Sequence, residues 1–81
     1  MYTGTEERGI EILTSFVQEA GIDVQTFTRA CDGLRSRLNV DESQWLLFLH
    51  GLGSKDLEKL NIAREYFNLQ PWSGDDVITK L

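Results

Sequence analysis

Five consecutive apolar residues, Trp45-Leu46-Leu47-Phe48-Leu49, constrain this chain most, because on a helix they cover nearly the whole circumference. A complete helix-start signal precedes them. Asp41 is placed as N-cap, Gln44 closes the capping box three residues on, and Val40 can staple onto Trp45. A helix that is apolar all round is a buried one, so this segment is expected to form the centre of the core. The run is then broken by Gly51-Leu52-Gly53, and Ser54 is read as the N-cap of the next helix.

The same grammar divides the rest of the chain. Thr3-Gly4-Thr5-Glu6 matches a capping box, and Ile10, Leu13, Phe16, Val17 and Ala20 recur at helical spacing until Gly21 offers a stop. Asp23 is read as the cap of a second helix, with Ile22 stapling onto Phe27 and a stripe of Val24, Phe27, Ala30, Cys31, Leu34 and Leu38. Gly33 is expected to end its regular part early. After Ser54, Leu57, Leu60, Ala63, Arg64 and Phe67 fall on one face of a fourth helix, and Ile62, Tyr66 and Leu69 on an adjoining one, with Pro71 as the terminator. Ser73 caps a short last helix, with Trp72 able to pack on Val77. No stretch alternates apolar and polar residues long enough for a strand. The expected fold is all-α, a compact bundle of about five short helices forming one domain over residues 1–81.

Composition bounds what such a bundle can do. Its 81 residues suffice for independent folding but leave little volume for a deep substrate cavity beside a full core, which argues against an enzyme. The single cysteine, Cys31, rules out an intramolecular disulfide and a cysteine-rich metal site, and fits a reducing compartment. The longest apolar run is far short of a membrane span and the N-terminus carries no signal-peptide pattern, so the expectation is a cytoplasmic protein. Thirteen acidic residues against eight basic ones give a net charge of -5. That balance opposes polyanions and makes a protein partner, most readily one with a basic surface, the easier expectation.

The segment from Ser43 to Ile62 resembles a helix-hairpin-helix motif: an apolar first helix, a Gly-hydrophobic-Gly hairpin at Gly51, Leu52 and Gly53, and a second helix opening Ser54-Lys55. The resemblance implies nucleic-acid binding, with Gly51 and Gly53 as phosphate-approaching glycines and Lys55 as the counter-charge. The five short helices and the final Ser73 to Ile78 segment also look similar in layout to a helix-turn-helix domain of the phage-repressor type. Charge runs against the hairpin, since Asp41 to Glu65 carries five acidic and three basic residues, and the helix-turn-helix layout is opposed by the long Asp32 to Asp41 link and by a candidate recognition helix, Trp45 to Leu49, that would be buried.

Other chemistry finds little support. His50 is the only histidine, and its spacing from Ser43, Ser54 and Cys31 implies no nucleophile and base in mutual reach, so no catalytic residue is assigned. Glu6-Glu7 and Asp75-Asp76 are adjacent pairs that diverge on a helix and complement its dipole, so no metal and no cofactor is expected. Tyr66, Phe67 and Trp72 cluster around the proline turn and are the candidate protein-binding residues, provided that the small core leaves them exposed. Arg29, Arg35 and Arg37 form the other concentration of charge, read as a solvated or ion-pairing rim. The resulting functional expectation is a small acidic helical protein that binds another protein as a regulator, inhibitor or assembly subunit, with nucleic-acid binding through Gly51, Gly53 and Lys55 as the alternative.

Overall fold

The computed structural model describes residues 4–81, and of Val24 the backbone only. Five α-helices follow one another: α1 (Gly4–Glu19), α2 (Phe27–Leu38), α3 (Glu42–Gly53), α4 (Leu57–Tyr66) and α5 (Gly74–Lys80), with a 3-10 turn (Val24–Thr26) leading into α2. Among the described residues there is no strand. The all-α, single-domain bundle expected from the sequence is the fold observed. Thr3, read as the first N-cap, lies outside the described residues.

Helix starts obey the caps in two places and depart from them in two. Asp41 accepts from the backbone N–H of Gln44, whose side chain accepts from the Asp41 N–H, closing the box ahead of α3. Ser73 and Asp76 do the same ahead of α5. Asp23, by contrast, accepts from the N–H of Gln25 and opens the 3-10 turn, so α2 begins only at Phe27. Ser54 is not the cap of α4. That role belongs to Asp56, which accepts from the N–H groups of Glu58 and Lys59, while Ser54 closes α3.

Helix ends share one device. Each of α1 to α4 is followed by a residue with positive φ: Gly21 (78°), Asn39 (54°), Lys55 (65°) and Asn68 (60°). Each of these donates its N–H three residues back, and the next residue donates five back, as in Ile22 to Val17 at 3.1 Å, Asp56 to Gly51 at 2.9 Å and Leu69 to Arg64 at 2.8 Å. This is the Schellman arrangement, which satisfies the last carbonyls of a helix. It corrects three sequence expectations. The Gly51-Leu52-Gly53 segment does not break α3, which continues through Gly53 to a turn at Ser54-Lys55. Gly33 does not shorten α2. Pro71 does not end α4, because Asn68 has already done so.

The glycines inside helices serve close packing. A Cβ on Gly9 would run into the backbone carbonyl of Leu49, and one on Gly53 into the carbonyl of Thr5, so α1 and α3 lie antiparallel with their backbones in contact at two points four residues apart. Helices that approach this closely exclude side chains between them and gain dispersion contact along the seam. On either side of that seam Ile12, Leu13, Phe16 and Val17 of α1 meet Trp45, Phe48, Leu49 and Leu52 of α3. Leu60, Ala63, Phe67, Trp72 and Val77 complete the core from the C-terminal half, and Leu34 is the only α2 residue buried in it. Helix α3 is not buried all round, since Leu47 is 66% exposed on its outer face. Ile12, which was absent from the stripe read in the sequence, is 2% exposed.

Candidate functional site

Helix α2 buries Leu34 in the core and packs Phe27, Ala30, Cys31 and Leu38 against it, and is bordered by hollows. Its middle residue, Gly33, faces the Tyr66 hydroxyl so closely that a Cβ there would collide with Oη. The half-buried Tyr66 ring, edge-on to Phe67 at 5.1 Å, therefore bridges α4 to α2 and divides the groove between them in two. One hollow of about 470 Å³ lies toward the α2 N-terminus, between Ala20, Ile22, Ala30 and Phe67. The other, also about 470 Å³, lies toward the α2 C-terminus, between Leu34, Leu38 and Ile62. Tyr66 and Asn68 line both.

The groove carries positive charge at both ends. Arg29 borders the first hollow and Arg37 the second, one helical turn to either side of Gly33. Neither makes an ion pair among the described residues. Glu65 lines the second hollow as well, and Asp32 lines a neighbouring hollow together with Arg29. The third arginine, Arg35, turns away and lays its guanidinium 5.6 Å from the centre of the Trp45 ring. The charge concentration noted in the sequence thus divides into one arginine on an aromatic face and two at the groove.

Of the three aromatic residues singled out in the sequence, only Tyr66 keeps part of its surface exposed. Phe67 and Trp72 are each 8% exposed and close the core, so they are not surface anchors. Trp72 is fixed by a two-way clamp on its backbone, the backbone N–H donating to Asn61 Oδ1 at 2.6 Å and the backbone carbonyl accepting from Asn61 Nδ2 at 2.9 Å. Its ring meets Phe16 edge-on at 5.1 Å, and the guanidinium of Arg64 lies 4.5 Å from the Trp72 ring and 4.9 Å from that of Phe16. Arg64, 2% exposed, donates its Nε to the Gln70 carbonyl at 2.6 Å and its two terminal nitrogens to Glu19 at 2.9 and 3.2 Å. That fork holds the Glu19 carboxyl below its ordinary pKa. The arrangement joins α1, α4 and the Pro71 turn, and leaves the buried indole Nε1 of Trp72 without a hydrogen-bond partner among the described residues.

The phosphate-binding alternative has its residues distributed differently from the resemblance. Gly51 is inside α3 beneath the aliphatic stem of Lys59, Gly53 abuts α1, and Lys55 is exposed at the turn with its backbone in the left-handed region. His50, Ser43 and Ser54 are exposed along the outer side of α3. Cys31 is half-buried in a hollow with Trp45 and Leu49, and burial raises its thiol pKa to about 11, which leaves it a poor nucleophile. A backbone hydrogen bond from Ser73 lowers the pKa of Asp76, whose role is that of a cap. Among the described residues no group of histidine, cysteine or acidic side chains is arranged to hold a metal, and no helix is long and apolar enough to cross a membrane.

Comparison of the chain with family models, with curated proteins and with solved structures finds no match. The groove is thus described by its own residues. Sequence reasoning noted Tyr66 and the arginines separately but did not join them, although the joining signal was present: arginines four residues before and four after a glycine on one helix.

Proposed function

We propose that this chain binds another protein, as a regulator, inhibitor or assembly subunit, through the groove between α2 and α4. The observation that carries the reading is Tyr66, a half-buried aromatic between two open hollows, the first mainly apolar and the second mixed, with Leu34, Leu38 and Ile62 beside Arg37 and Glu65. Such a ring offers large contact area with a polar tip at little entropic cost, which is why tyrosine recurs at interface centres. Concave apolar surface flanked by a few polar groups is the usual form of a recognition site. The net charge of -5 supports a protein over a polyanion.

The test is affinity capture from native lysate, with and without nuclease, using the wild type, Tyr66→Ala, Tyr66→Phe and Lys55→Glu. The expected result is a nuclease-resistant protein partner, retained by Tyr66→Phe and Lys55→Glu but reduced at least tenfold by Tyr66→Ala with the helical spectrum unchanged. Recovery of nucleic acid that is lost on Lys55→Glu would overturn the proposal in favour of phosphate binding at the α3–α4 turn.

A further inference from the structure

We infer that the α2–α4 groove takes an acidic peptide segment, one whose apolar side chains enter the two hollows while carboxylates at its ends meet Arg29 and Arg37. The inference rests on the protein-binding reading above and adds the chemistry of the partner. Its basis is local charge in a chain of opposite overall sign. Of the eight basic residues, Arg8, Lys59, Arg64 and Lys80 pair with carboxylates of the chain itself and Arg35 lies on Trp45. Arg29, Arg37 and Lys55, with thirteen acidic residues available in the sequence, pair with none among the described residues; Lys55 stands at the α3–α4 turn, whereas Arg29 and Arg37 flank the groove.

Geometry sets the spacing of the complementary groups. Arg29 and Arg37 are related as i and i+8, so their Cα atoms stand about 12 Å apart along α2 at the rise of a regular helix. An extended segment covers that distance in about four residues. The occupant is therefore a short stretch with acidic residues at about i and i+4 and apolar residues between or beside them, wrapping past the Tyr66 ring. Glu65 supplies the opposing sign near Arg37 and discriminates against a segment that places a second acid over α4. A nucleic-acid strand could satisfy the two guanidinium groups but would leave the hollows of about 470 Å³ unfilled and bring many further negative charges onto an acidic protein.

The experiment selects a displayed library of random 12-residue peptides on the wild-type protein. Enriched peptides are then measured against the wild type, an Arg29→Glu/Arg37→Glu double variant and Leu47→Glu, the last altering the exposed face of α3. A single-stranded oligothymidylate is the competing probe. The expected result is enrichment of Asp or Glu flanking apolar residues, with affinity at least tenfold weaker for the double variant, unchanged for Leu47→Glu, and no measurable oligonucleotide binding. Peptides without an acidic bias, binding indifferent to the double variant, oligonucleotide binding that depends on the two arginines, or no enrichment would each overturn the inference. A lysate partner that survives the arginine reversal would refute this chemistry and leave protein binding standing, whereas absence of any partner would remove both. Helical spectra identical to wild type in both variants establish that the losses arise at the surface.

Discussion

Arg64 and Glu19 form the ion pair with the deepest arginine in the molecule, yet their partnership is asymmetric. Arg64 is 2% exposed, whereas the Glu19 side chain is 49% exposed, so water screens one end of the bridge. Removing the carboxyl leaves the guanidinium with the Gln70 carbonyl and two ring faces, and Glu19→Gln is expected to cost only about 1 kcal/mol at neutral pH. The pH dependence has a definite sign. The folded-state pKa of Glu19 lies below its ordinary value of 4.5, so its contribution is complete above that value and is lost as pH falls through the folded pKa. The urea-midpoint gap between wild type and Glu19→Gln should be present at neutral pH and close in strong acid. A second residue-scale expectation separates two glycines of α1. Gly9→Ala must push its methyl into a backbone carbonyl of α3 and should cost about 1 to 3 kcal/mol or more, while Gly4→Ala meets nothing and should be neutral or stabilising by up to about 1 kcal/mol. Urea midpoints of the two variants measure the contrast.

Helix α3 shows how far patterning carries at the scale of an element. Its start was legible because Asp41, Gln44 and the apolar run agree, and its burial was overestimated because five apolar residues in a row say nothing of which one faces outward. The answer comes from α1, whose close approach through Gly9 and Gly53 fixes the rotation of α3 and leaves Leu47 in solvent. Leu47→Ala is therefore expected to change stability by less than about 0.5 kcal/mol, and Phe48→Ala to cost about 3 to 5 kcal/mol, in thermal or urea unfolding. Helix ends were less legible than helix starts. A cap acts through its own side chain and is visible in sequence, whereas the left-handed residues at Asn39, Lys55 and Asn68 are selected by the Schellman bonds of the preceding turn. The groove was hidden for the related reason that Arg29, Gly33 and Arg37 lie on α2 and Tyr66 on α4. Only tertiary packing reveals that Gly33 exists to admit Tyr66.

At the scale of the whole molecule the bundle divides into a frame and an attachment. Helices α1 and α3 touch backbone to backbone, and the C-terminal half is tied to α1 through Arg64 and the Phe16–Trp72 contact. Helix α2, which connects α1 to α3 in sequence, contributes only Leu34 to the fully buried core. Its other apolar residues, Phe27, Ala30, Cys31 and Leu38, pack on that core only partly buried, so α2 is expected to open locally at lower cost than the α1–α3 pair. Amide protons report this directly, because each exchanges through the least costly opening that exposes it. The amides of α2 should exchange with deuterium well before those of α1 and α3, and a bound groove ligand should slow them selectively. The glycine seam between α1 and α3 is thus expected to set an order of release, with the segment that forms one wall of the groove opening before the helices that meet at the seam.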